Sequence, residues 1–268
     1  MDILTHTLSG LALGTVVACH GAPSARRRAT ILSCSTLAGA LPDLDAISLW
    51  SRFDGTLGRW FGLSHSGRDI YSAKFWYSHH AFMHSLLAAA MVALLVVLLV
   101  YGRTLLRDGL SGWWRRGRLV VLSMLLAYSI HLLEDMPTPS STWGGVRLLF
   151  PATGYVGGTG DIWWWNNYDV FLIVLAVLLL NLLLIALRSV VPRLRRLPLF
   201  RLALGVFLIG FALGLYQVKT RPYDFAYSGH TDRYQELEAQ SKAAQRGILG
   251  ERLYRAMEWF DRQLPIYF

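Results

Sequence analysis

The sequence predicts an all-α fold: a polytopic transmembrane helical bundle of about six spans, followed by a small amphipathic helical C-terminal tail. Three observations carry this. Of the 268 residues, 54% are hydrophobic and only 16% charged, against about 25% charged in a soluble domain. Several apolar runs approach or reach the ~20 residues that a bilayer-crossing helix needs. The formal charge of +9 is concentrated in short segments between those runs, as in the cytoplasmic loops of membrane proteins. A nucleic-acid-binding face would gather it on one surface, so no nucleic-acid partner is expected.

Two runs qualify as spans at once, Ala81 to Tyr101 and Tyr168 to Leu187. A third, Leu199 to Val218, carries Arg201 near its start, where a long side chain can snorkel. Leu4 to Cys19, Ala29 to Leu41 and Leu119 to Leu133 are shorter or more polar and read as helices shielded by their neighbours. The N-terminal run lacks the basic leader of a signal peptide. Cys19 and Cys34 sit in or beside apolar segments and read as small buried residues, with no disulfide framework.

Arg26, Arg27 and Arg28 follow the first span; Arg103, Arg107, Arg115, Arg116 and Arg118 follow the third; Arg188, Arg193, Arg195 and Arg196 follow the fifth. These loops are therefore expected in the cytoplasm. The loops from Asp43 to Ser78 and from Glu134 to Asn167, and both termini, are then expected on the other side. Trp60, Phe61, Phe75, Trp76, Trp143, Trp163, Trp164 and Trp165 lie in those two loops and suit an interfacial belt. Residues 1–218 read as the membrane-embedded domain and 219–268 as an extramembrane tail. Leu237, Leu249, Leu253, Met257 and Phe260 give that tail helical spacing.

On this topology the ionisable residues gather at one face. Asp2 and His6 start the first span, and Asp43 and Asp45 follow Pro42 at the end of the second. His79, His80 and His84 start the third, His131 and Asp135 end the fourth, and Asp169 starts the fifth. Five of the eight histidines are in this set. Titratable groups in membrane segments are costly and mark function. His80 with His84, and His131 with Asp135, are spaced i, i+4, which on a helix points each pair one way. Imidazole with carboxylate suits zinc or a neighbouring first-row metal, and more than four ligands can hold more than one ion. His20, His65 and His230 read as structural or solvated.

Four short motifs now carry a resemblance. They are Met1-Asp2-Ile3-Leu4-Thr5-His6 with Gly10, Gly39 through Asp45, His79 through Ser85, and His131-Leu132-Leu133-Glu134-Asp135 followed by Thr138 and Gly144. In their order and joint presence they resemble the YdjM-like family of inner-membrane metal-dependent hydrolases, over about the first 170 residues. The stretch from Asp161 to Asp169 resembles the family's segment that ends in an Asp before a late helix. The family's third motif reads His-Arg-Gly-x-Thr-His-Ser, so His79 and His84 match its histidines, while His80 replaces its Arg. The His-x₃-Asp pattern is also similar to that of the zinc-dependent phospholipase C group.

The resemblance implies a membrane-embedded, metal-dependent hydrolase. Its ligands would be His6, Asp43, Asp45, His79, His84, His131 and Asp135, with Asp45 and Asp135 as the catalytic carboxylates. His80, Thr138 and Asp169 would be additional ligands or substrate contacts. The cofactor would be one or more divalent ions, zinc first. A site at the membrane–water boundary of the inner membrane, on the non-cytoplasmic side, implies membrane lipids as neighbours and a lipid or lipid-linked phosphoester as substrate. Two other readings stay open: a non-catalytic scaffold with a structural metal, and a transporter, whose site would lie nearer the bilayer midplane.

Overall fold

The computed structural model describes residues 1–21, 24–138, 145–158, 162, 167–220 and 234–263. Among them the helices are α1 (Ile3–Gly21), α2 (Ala25–Ala40), α3 (Gly67–Ser72), α4 (Leu86–Asp135), α5 (Tyr168–Val190), α6 (Leu199–Thr220), α7 (Tyr234–Leu249) and α8 (Glu251–Gln263). The described residues contain no strand, only an isolated bridge between Val146 and Val156. The fold is an all-α membrane bundle. Among the described residues, four helices are long and apolar enough to cross a bilayer: α1, α4, α5 and α6.

α4 has 50 residues, about 75 Å if straight and more than twice a bilayer core. It is not straight. Tyr101 (φ −120°, ψ 15°) and Gly109 (φ 68°, ψ −174°) leave helical geometry. A Cβ on Gly117 would lie 2.5 Å from Val97 Cγ1, though along one rod the two residues would stand about 30 Å apart. The element is therefore a hairpin of two arms, residues 86–108 and 110–135, with its tip in the arginine-rich stretch. Gly109 can turn there because a positive φ costs glycine little. Both arms and α2 join the three remaining long helices, giving six helical segments. α2, at 16 residues, is too short and polar to span by itself and is sheltered between α1 and α4.

Helix boundaries differ from expectation at the third segment. The apolar run suggests a helix from Ala81, but α4 begins at Leu86, where the Ser85 side chain accepts from the Ala88 amide at 3.1 Å. Residues 79–84 form turns and a short 3-10 segment (Phe82–His84). His80 has φ 62°, which no helix tolerates, so the i, i+4 reading of His80 with His84 is corrected.

Small residues set the close contacts. A Cβ on Gly10 would stand 2.4 Å from Ser35 O, and one on Gly39 2.4 Å from His6 O. α1 and α2 thus touch backbone to backbone, the usual means of helix approach in a bilayer. Ala88, Ala89 and Ala93 play the same part on the first arm of α4. The outward residues Leu98, Leu99, Leu179 and Leu183 are exposed, which lipid tolerates. Asn181 Nδ2 donates to Thr15 Oγ1 at 2.9 Å, tying α5 to α1 inside the bundle.

At the site end, the segment after α2 folds into a small cap. Pro42 ends α2 and opens a 3-10 segment, Pro42–Leu49. α3 packs on it so closely that a Cβ on Gly67 would lie 1.9 Å from Ser48 O. Beyond α6, α7 touches α5 and α8 touches α1. Both cysteines are free, with Cys34 buried and Cys19 half-buried.

Candidate metal centre

Each element brings one part of the cluster. Asp2 caps α1: its carboxylate accepts from the Thr5 amide at 2.8 Å and the Thr5 hydroxyl at 2.7 Å. His6 follows one turn later, at the close contact with Gly39. The 3-10 segment carries Asp43 and Asp45. Tyr128, on the second arm of α4, donates to Met83 O at 2.5 Å, and the Arg147 amide donates to His80 O at 2.9 Å. These bonds hold the 79–84 turn over the hairpin, so that His84 faces His131. Tyr71 of α3 stacks on His79 with centroids 4.7 Å apart.

All five clustered histidines use Nδ1 in the same way. His6 Nδ1 donates to Glu134 Oε2 at 2.8 Å, His79 Nδ1 to Asp45 Oδ1 at 2.6 Å and His84 Nδ1 to Asp45 Oδ2 at 2.9 Å. His80 Nδ1 donates to Gly145 O at 2.9 Å and His131 Nδ1 to Gly39 O at 2.7 Å. In the neutral ring, a proton placed on Nδ1 by its acceptor leaves Nε2 its lone pair. This is the outer support that metal-bound histidines use, fixing tautomer and ring direction.

The Nε2 atoms of His6, His84 and His131 converge with carboxylate oxygens. His131 Nε2 lies 2.9 Å from Asp135 Oδ2 and 3.3 Å from His84 Nε2. His6 Nε2 lies 3.1 Å from Asp135 Oδ1. Asp43 Oδ1 stands 3.6 Å from His131 Nε2 and 3.7 Å from His84 Nε2. His6, Asp43, His131 and Asp135 can each offer a ligand atom with all four within 4.8 Å of one another, and His79, His80 and His84 form a second such group. The groups adjoin through His84 and His131.

The chemistry of the donors fits a cation. His6 Nε2 and Asp135 Oδ2 are buried, and despite their close neighbours neither has a hydrogen-bond partner among the described residues. Both residues belong to the four whose ligand atoms lie within 4.8 Å of one another. Leaving such atoms unsatisfied in a dry interior is costly, and a divalent metal would satisfy both.

Burial by itself would raise the Asp45 carboxyl, but His84 and His79 hold it below its ordinary value. Burial would likewise raise Asp43, which His131, His84 and His6 hold below its ordinary value. Burial would lower the His84 imidazole, but the neighbouring carboxylates of Asp45, Asp135 and Asp43 push it well above. His80 goes the other way: burial, then its neighbours His79 and His84, push it well below.

The sequence profile of the YdjM inner membrane protein family matches residues 1–220. The chain belongs to the YdjM inner membrane protein family. No curated protein and no solved structure matches it. The match covers every clustered residue of this YdjM member and ends at the last residue of α6; α7 and α8 lie beyond it.

Among the residues singled out from the YdjM motifs, His6, Asp43, His131 and Asp135 meet in one group and His79, His80 and His84 in the other. Asp45 stands outside both, with its two oxygens on His79 and His84. Thr138 is buried just past α4, its hydroxyl unpartnered among the described residues. Asp169 is in the first turn of α5, where Oδ1 accepts from the Val170 amide at 2.9 Å, and belongs to neither group. His20 and His65 lie outside both groups, against Phe200 and Phe75. Gly144, Asp161, His230, Trp143, Trp163, Trp164 and Trp165 lie outside the described residues. Trp60 and Trp76 are exposed at the site end, as an interfacial belt requires.

Three partners escaped the sequence reading. Glu134 holds His6 and accepts from the Ser9 hydroxyl; its place beside Asp135 in the fourth motif was the available signal. Asn167 donates to Asp2 at 2.5 Å and to Thr5 at 2.9 Å, joining α5 to α1. Tyr128 anchors the histidine turn. Nothing in the spacing of Asn167 or Tyr128 announces these contacts.

Proposed function

We propose that this YdjM member is a membrane-embedded, metal-dependent hydrolase acting on a lipid or lipid-linked phosphoester at the non-cytoplasmic membrane boundary. The observation that carries the reading is the convergence of buried Nε2 and carboxylate lone pairs, each imidazole backed through Nδ1. His6, Asp43, His131 and Asp135 would hold one ion, and His84 with His79 and His80 would hold or border a second. Zinc or a similar ion supplies a bound water with a pKa near ~7 and polarises the scissile group.

The protein residues divide the remaining work. Asp45 and Glu134 orient histidines, so the catalytic role expected of Asp45 becomes a positioning one in this proposal. Asp135 Oδ2, free of hydrogen bonds among the described residues, is the oxygen that can orient or deprotonate the attacking water. Thr138 Oγ1 is a donor available to substrate. The arginine-rich hairpin tip lies at the opposite end from the cluster, and the positive-inside rule supports a cytoplasmic place for that end.

Complete burial supports one other reading. The side chains of His6, His84 and His131 are 0% exposed, and a closed coordination shell favours a structural metal that staples helix ends. Elemental analysis of the purified protein against His84→Ala with Asp135→Ala comes first. Near-stoichiometric metal in the wild type, lost in the variant, is expected, and release of phosphate from lipid phosphoesters then separates catalysis from stapling. No metal after reconstitution would remove the hydrolase reading.

A further inference from the structure

Next to the cluster, α1, the end of α4, α5 and α6 enclose a long apolar groove of about 570 Å³, within the roughly 300–1,000 Å³ typical of ligand clefts. Its walls are Ala12, Val174, Val177, Phe207 and Phe211, among others. Its few polar side chains include Ser9 and Glu134 on the cluster side and Lys219 at the end of α6. Glu134 is shared: it lines the groove and its carboxylate holds His6. The groove therefore stops one side chain short of the candidate ligands.

We infer that this groove receives one hydrocarbon chain of an anionic phospholipid whose phosphate-bearing head lies at the His/Asp cluster. The inference rests on the hydrolase reading for its headgroup, and on the groove alone for its chain. Three features point to that occupant. The walls belong to the membrane-crossing parts of α1, α5 and α6, where the medium offers only hydrocarbon. The groove runs to the cluster, so a chain lying in it ends with its head at the donors. Lys219 is exposed on the rim, placed to pair with a headgroup anion.

The shape is written into α6. A Cβ on Gly210 would strike Val177 Cγ2 at 2.1 Å, so that glycine serves helix packing. Gly214 also lines the groove, yet a Cβ there would meet nothing within 4 Å. Packing does not call for a glycine at that position; the open space does. Gly205 on the same helix is equally open but lies outside the groove, which makes it a matched control. Leucine has better helix propensity than glycine, so neither substitution should unfold α6.

The test uses the full chain in dodecylmaltoside micelles with phosphatidic acid carrying a diazirine at the end of one acyl chain. After irradiation and digestion, adducts are expected on groove residues such as Val174, Phe207 and Phe211. Each methylene kept out of the groove weakens binding about fourfold. Gly214→Leu should therefore cut these adducts by roughly tenfold or more, Val174→Phe should do likewise, and Gly205→Leu should leave them unchanged. The metal-site variant His84→Ala with Asp135→Ala should keep them. Adducts spread over Leu179, Leu183 and Leu208 and indifferent to Gly214→Leu would mean bulk lipid only and overturn the proposal. Groove adducts in a wild type without metal would leave the groove standing and sink the hydrolase reading; metal without groove adducts would do the reverse.

Discussion

Asp45 sits between two imidazoles, and that placement sets how the cluster responds to pH. His84 and His79 lower the proton affinity of the carboxylate, and the carboxylate raises that of His84, both against the pull of burial. Unfolded reference values are about 3.9 and 6.5. In the metal-free protein, the stability contributed by protonated His84 is complete below about pH 6.5 and is lost as pH rises through its higher folded value. The contribution of Asp45 is complete above about pH 3.9 and is lost as pH falls through its lower folded value. Chelated protein should therefore melt lower at pH 9 than at pH 6, and Asp45→Asn should flatten that alkaline loss. Zinc needs His84 unprotonated, so uptake at pH 7 should release protons. Calorimetry in two buffers of different ionisation enthalpy reads this directly; identical heats would mean that His84 gives up no proton. Asp45→Asn should also weaken zinc about 10–100-fold, the usual effect of removing a carboxylate behind a ligating histidine.

At the scale of elements, a backbone-to-backbone contact between α1 and α2 also seats a proposed ligand. Gly39 leaves room for His6 O, and its own carbonyl receives His131 Nδ1. Gly39→Ala would force α1 and α2 apart at that point. It should cost roughly 1–3 kcal/mol, as overpacking does, and lower metal content even though no ligand is changed. Thermal melting and elemental analysis on the same sample check both; full metal with a lowered melting point would mean that His6 does not depend on this contact. This is where sequence and structure part. Apolar runs and arginine placement made the helices and the site end legible, because hydropathy and charge are local properties. The doubling of α4 was legible as two runs with a basic stretch between. The 79–84 turn was not: its apolar residues extend the run of α4, and tertiary bonds with Tyr128, Arg147 and Gly145 help hold the turn in which His80 has a positive φ. The bonds of Asp45 to His79 and His84 were not legible for a related reason, since residue type marks a donor but not the partner it takes.

The whole molecule is polarised along the helix axes. Helix ends rich in His and Asp, with exposed Trp60 and Trp76, lie at one end, and the arginines that open α2 and those of the α4 tip lie at the other. Arg27 donates to Arg115 O at 3.5 Å and to Arg116 O at 3.3 Å, so the basic segments are joined in space as well as by topology. Arginine is retained on the cytoplasmic side during insertion, so the proposed orientation has the cluster outside. Single cysteines test this in a Cys19→Ala, Cys34→Ala background. Trp60→Cys is exposed at the cluster end and Arg107→Cys at the basic end. In intact spheroplasts a membrane-impermeant maleimide should label the first and not the second, and permeabilisation should equalise them. Labelling of Arg107→Cys alone in intact cells would turn the molecule over, bringing the cluster to the cytoplasmic face. Any substrate would then have to come from the inner leaflet, although the cluster and its groove would be geometrically unchanged.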